Sequence, residues 1–172
     1  AIITGAGERA FTVGQDVKAT AAQGRTRNKV PGSRAHHDVF KPVICAVNGI
    51  VTGGGLHHVA ESDLVICSEN ASFFDTHCAV GNVFALEAIG LTRKIPLQMV
   101  MQMGLLTRAG AISPGRAYQI GLVNDVCGSI PKCTNTSREG SRTGRLRRIS
   151  ASRIENIAVV ANQVPLAGHN GY

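Results

Sequence analysis

Three consecutive glycines, Gly53 to Gly55, stand just ahead of two histidines, His57 and His58. Such a run lets backbone approach a ligand closely, because no Cβ stands in the way. A helix that starts there turns unpaired N–H groups and its positive dipole end toward the ligand. His57 lies three residues after Gly54 and so falls on the same helical face as that N–H. A donor for developing negative charge therefore sits beside a group able to move a proton. The same residues also read as a glycine turn packed between strand and helix, with two incidental histidines.

The elements that must position this stretch can be read on either side of it. Val43 to Val47 is a short apolar run rich in β-branched residues, which suits a buried strand, and Asn48 and Gly49 punctuate it. Leu56, Val59 and Ala60 recur at helical spacing, and Leu64 to Cys67 is a second strand. Upstream, residues 1–5 form a strand. Phe11 is an apolar anchor, Gly14 supplies a turn that exposes the N–H of Gln15, and Asp16 can cap a following helix. Residues 20–38 are polar and read as a surface loop. Downstream, Ala71 to Phe74 is a short strand. Leu86, Ile89 and Leu91 fall at roughly helical spacing, and Glu87 among them reads as a solvated helix residue or as a carboxylate folded back toward the site. Asp75 and Asp63 read as turn and cap residues. Pro96 suits the first turn of a helix through Met103. Ser113 as N-cap, Pro114 at the first position and Gly121 as stop signal mark another helix, and LVNDV closes as a strand. Beyond Cys127 neither period survives until residues 154–166, which suit a short helix.

The composition sets the class. A chain of 172 residues, 44% apolar with 20 glycines, suits one α/β domain with many strand-to-helix turns. It holds no apolar run of 18 residues and no basic region leading into an apolar one, so a soluble, cytoplasmic protein without membrane contact is expected. Five cysteines without CxxC spacing read as reduced, buried thiols and not as a zinc site. GxGxxG and GxxxxGK[ST] are both absent, so neither a metal nor a redox cofactor is expected. The net charge of +7 gathers in residues 18–34 and 128–153. The first cluster reads as a phosphate contact or as solvated surface. The second lacks Phe, Tyr and Trp, which argues against nucleic-acid binding by base stacking.

Three stretches in order, AIITGAGERAFTVGQDVK, KPVICAVNGIVTGGGLHHVAESDLVICSENASFF and LLTRAGAISPGRAYQIGLVNDV, resemble the enoyl-CoA hydratase/isomerase (crotonase) family. The likeness covers about residues 1–127, a partial core, and leaves 128–172 as a basic, irregular C-terminal segment. The resemblance implies an α/β spiral of ββα units, expected here without the N-terminal units and the usual C-terminal helices. It implies an acyl-CoA substrate, whose coenzyme A is part of the substrate and not a cofactor, and a trimer or a dimer of trimers. It also implies an oxyanion hole made by the backbone N–H groups of Gln15 and Gly54, with Phe11, Asp16, Gly53 and Phe74 as substrate-binding residues beside it.

Departures from the family pattern fall on the chemistry. The two glutamates with which hydratases of this family deliver water fall at His57 and His77. Two imidazoles can still serve as acid and base near neutral pH, with Glu61 one helical turn past His57 to hold its tautomer. They also read as polar residues at the mouth of a cleft, and His58 as packing or surface. The expected function is thus enoyl-CoA hydratase-like, through stabilisation of an enolate. The alternatives are a catalytically silent acyl-CoA-binding homologue, and an isomerase or thioester hydrolase of the same family.

Overall fold

The computed structural model describes residues 2–7, 9–14 and 42–128. Gln15, Asp16, the basic residues between 18 and 34 and those beyond 128 lie outside the described residues.

Among the described residues, seven short strands are laid down in turn on two sheets. β1 (Ile2–Thr4), β3 (Ile44–Val47), β5 (Leu64–Ser68) and β7 (Asp125–Cys127) form a four-stranded sheet in that order, parallel throughout. β2 (Ala10–Thr12), β4 (Ile50–Val51) and β6 (Ser72–Phe73) form a parallel three-stranded sheet. Each successive strand pair adds one strand to each sheet, so the chain winds as a spiral. α1 (Leu56–Glu61) carries it from β4 back to β5, and a 3-10 turn, Gly53–Gly55, leads into that helix. α2 (Leu86–Leu91), α3 (Leu97–Leu105) and α4 (Pro114–Gln119) fill the long return from β6 to β7. Among the described residues no helix is long and apolar enough to cross a membrane.

The pleat explains why β3 is apolar at every position and β5 at every position before Ser68. Cys45, Val47, Val65 and Cys67 point into the larger core with Leu56, Val59, Phe73, Leu91 and Met103. Ile44, Ala46 and Ile66 point the other way and pack with Cys127. Successive residues serve opposite faces, and both faces are buried. Burial pushes the Cys45 and Cys67 thiols up to about 12, which leaves them inert packing groups. The expectation of five reduced, buried cysteines fails at two places: Cys78 is exposed on a turn, and Cys127 is disulfide-bonded.

Asn48 pins one strand pair to the next. Its Oδ1 accepts the Gly5 N–H at 3.0 Å, and its Nδ2 donates to Gly7 O at 2.7 Å, across the β1–β2 turn. The Asn48 side chain is only 6% exposed, while Gly5 is half-buried and Gly7 is exposed. Asn48→Ala is expected to cost about 0.5–1.5 kcal/mol by removing the hydrogen bonds that its side chain makes across the turn. A urea midpoint that falls with an unchanged denaturant slope checks this, and an unmoved midpoint refutes it.

Helix ends follow the local signals. Ser113 Oγ accepts the Arg116 N–H at 3.4 Å, Pro114 opens α4, and Gly121 turns the chain away at φ +80°. Pro96 stands one position outside α3 as its cap. α2 departs from expectation. Leu86 and Ile89 are exposed, while Glu87 and Leu91, one helical turn apart, form the buried face. Gly90 lets that face close on α1, for a Cβ there would lie 2.8 Å from the Ala60 Cβ. The helix is rotated relative to its apolar spacing.

Candidate active site

The site forms where β2 and β4 end side by side. Gly14 leaves β2 at φ +87° and Gly53 opens the glycine turn at φ +54°. A Cβ on Gly14 would lie 3.2 Å from Gly54 N and 3.4 Å from Thr52 O, so two bare backbones pass each other there. Thr52 N–H donates to Thr12 O at 3.2 Å and couples the two strand ends. On its other side Gly54 has nothing among the described residues within 4 Å of where a Cβ would stand. Gly54 therefore leaves its backbone uncovered on that side, at the glycine turn.

His57 and His77 meet over one carboxylate. His57, in the first turn of α1, is 6% exposed, and its Nε2 lies 3.1 Å from Glu87 Oε1. His77 follows β6, and its Nε2 lies 3.9 Å from the same oxygen. Thr76 Oγ1 sits 3.4 Å from Thr52 Oγ1, which ties the His77 loop to the glycine turn. Glu87 is 7% exposed and arrives on the buried face of α2. Burial pushes its carboxyl up, but the hydrogen bond from His57, its own backbone N–H and the neighbouring imidazoles outweigh burial and hold it below its ordinary value.

Asp75, read from the sequence as a turn residue, does more than turn the chain. It is fully buried. One carboxylate oxygen accepts the His77 backbone N–H at 2.6 Å, and the other pairs with His77 Nδ1 at 2.7 Å. The first contact is the turn; the second orients the ring. Phe84 stacks on that ring at 6.3 Å between centroids and 16° between planes. Gly104 on α3 makes room for Phe84, since a Cβ there would meet the Phe84 ring at 2.6 Å.

The remaining candidates separate by geometry. Glu61 Oε1 lies 3.9 Å from His57 Nδ1, beyond hydrogen-bond reach, so Glu87 and not Glu61 holds that ring. His58 turns away and meets the Phe11 ring edge-on at 5.9 Å. Its buried Nδ1 has no hydrogen-bond partner among the described residues, and burial together with His57 holds its pKa below the ordinary imidazole value. It packs. Phe11 and Phe74 are buried at 8% and 7% exposure, Phe11 inside the larger core. Among the described residues no group of three His, Cys, Asp or Glu side chains is arranged to hold a metal ion.

Comparison with known proteins adds the following. Residues 1–140 match the family described as enoyl-CoA hydratase/isomerase. (E)-Benzylidenesuccinyl-CoA hydratase of Thauera aromatica is 32% identical, over 96% of this chain and 66% of its own. Carnitinyl-CoA dehydratase of Proteus mirabilis is 35% identical over 81% of this chain and 54% of its own. The chain thus spans about half to two-thirds of the length of these curated relatives. A crystal structure of an enoyl-CoA hydratase/isomerase from Mycobacterium paratuberculosis superposes with a TM-score of 0.69 at 30% identity, over 94% of this chain and 56% of its own. A carnitinyl-CoA dehydratase from Mycobacterium avium 104 superposes at 0.64 with 25% identity, over 91% of this chain and 63% of its own.

Proposed function

The chain belongs to the enoyl-CoA hydratase/isomerase family, and from that premise we propose that it adds water to, or removes it from, the double bond of an acyl-CoA thioester. The observation that carries this reading is the convergence of His57 and His77, twenty residues apart, on Glu87 beside the glycine turn. In the proposed reaction water attacks the β-carbon and loses a proton to an imidazole. The π electrons move onto the thioester oxygen, and the α-carbon then takes a proton. Gly54 N–H, with Gln15 N–H as second donor, holds the enolate oxygen, where preorganised donors act most strongly. The histidines stand in for the family's two glutamates in this reading. No separate cofactor takes part, since coenzyme A arrives with the substrate. Assembly as a trimer or hexamer and a cytoplasmic location belong to the same proposal.

The test is hydration of crotonyl-CoA by the purified chain, followed as loss of the conjugated-thioester absorbance, beside His57→Ala and His77→Ala. Turnover that drops in the variants while CoA-ester binding persists is the expected result. Saturable binding without any turnover would replace the reading with a silent acyl-CoA binder or another reaction of the family.

A further inference from the structure

The two imidazoles meet the same carboxylate oxygen, yet their other contacts differ. A carboxylate accepts, so the proton of the 2.7 Å contact between His77 and Asp75 sits on His77 Nδ1. That leaves Nε2 of His77 with a lone pair, and Glu87 Oε1 at 3.9 Å is too far to engage it by a direct hydrogen bond. For His57 the order is reversed. Its Nε2 carries the proton donated to Glu87 at 3.1 Å, and the atom that faces the shared site is already committed. Exposure agrees with this division, since the His77 side chain is 26% exposed and that of His57 only 7%.

We propose that His77, oriented through Nδ1 by Asp75, is the proton-transfer residue of the site, and that Asp75 is its positioning residue. Glu87 and His57 then form the polar wall against which His77 works. The inference rests on the hydratase-like reading above and assigns its roles. In the step itself, His77 Nε2 takes a proton from water as the water oxygen bonds to the β-carbon. The imidazolium so formed faces Asp75 on one side and Glu87 on the other. It returns the proton to the α-carbon of the enolate, so one water adds across the double bond and His77 ends as it began. The titratable groups facing His77 are Asp75 from its own turn and Glu87 from α2, with His57 of α1 beyond Glu87.

Asp75→Asn tests the assignment sharply. The His77 backbone N–H can only donate, so the asparagine must turn its oxygen to it and present its amide nitrogen to Nδ1. That nitrogen donates, the ring proton moves to Nε2, and the working lone pair is lost. In the 172-residue chain the variant is expected to lose roughly 10²–10⁴ in kcat on crotonyl-CoA at nearly constant KM, as in other sites where the tautomer is reversed. His57→Gln, which can still donate to Glu87, is expected to lose only about tenfold, below the general acid–base range. Histidine ¹⁵N spectra should show the Nδ1–H tautomer for His77 in the parent chain and Nε2–H in Asp75→Asn. Asp75→Asn within threefold of the parent kcat, or a His57→Gln loss as large as that of Asp75→Asn, overturns the proposal. If the parent chain binds crotonyl-CoA without turnover, the hydration reading fails, and the spectra alone then decide the dyad: Nε2–H on parental His77 refutes it.

Discussion

Gly14→Ala is expected to remove roughly 10²–10³ of the turnover on crotonyl-CoA from a chain that still folds. The added Cβ would stand 3.2 Å from Gly54 N and 3.4 Å from Thr52 O. Both are backbone atoms, so neither can move aside as a flexible side chain does. The methyl group would press on the very N–H assigned to the enolate oxygen. The residue would also have to keep φ near +87°, at a cost of about 1–2 kcal/mol for a residue with a Cβ. Gly7→Ala separates the two effects. Gly7 has φ +79°, but nothing among the described residues lies within 4 Å of its would-be Cβ. It should show a similar loss of stability with kcat unchanged. Equal kcat losses in the two variants would mean that the Gly14 effect is general strain, and the donor role of Gly54 would fall with it.

Much of the frame that brings these groups together is legible in the residues. β3 and β5 announce themselves as continuous apolar runs because both of their faces are covered. α4 is announced by Ser113 and Pro114, which act through local hydrogen bonding and a preset φ and need no tertiary context. β2 and β4 are another matter, at three and two residues, too short for alternation to register. They are strands because their neighbours pair with them.

The site was harder to read than the frame, for reasons specific to each residue. His57 and His77 can be found by position, but nothing in their spacing says that they share a partner. Glu87 was obscured by its own helix. Leu86 and Ile89 suggest an apolar face, yet both are exposed and the buried face runs through Glu87 and Leu91. Small residues decide that rotation, since Gly90 lets α2 lie against Ala60 of α1. A carboxylate is ordinarily excluded from such a face, and the His57 imidazole, with the carboxylate's own backbone N–H, offsets the cost of its burial. Asp75 offered a clearer signal: an Asp two residues before a His can take the backbone N–H and the ring Nδ1 with its two oxygens.

Glu87→Ala should be the most destabilising change at this site, by about 3 kcal/mol at neutral pH, where the ranges for a buried unpaired donor and a broken buried pair meet. The His57 Nε2–H, inside a side chain 7% exposed, would lose its acceptor with little access to water. The same contact makes a prediction about acid. The Glu87 carboxyl is held below its ordinary value of 4.5 in the folded chain, so the unfolded chain takes up the proton more readily. The ionised Glu87 carboxylate therefore stabilises the fold fully above about 4.5, and that contribution disappears as pH falls through the lower folded value. Urea midpoints of the parent and Glu87→Ala should accordingly stand well apart at pH 7 and draw together in acid. A His57→Ala and Glu87→Ala double-mutant cycle at both pH values isolates the pair from the volume lost at each position. A coupling energy near zero at pH 7, or one that persists unchanged into acid, would show that the two side chains are neighbours without being partners. The carboxylate would then need another reason to lie buried in α2.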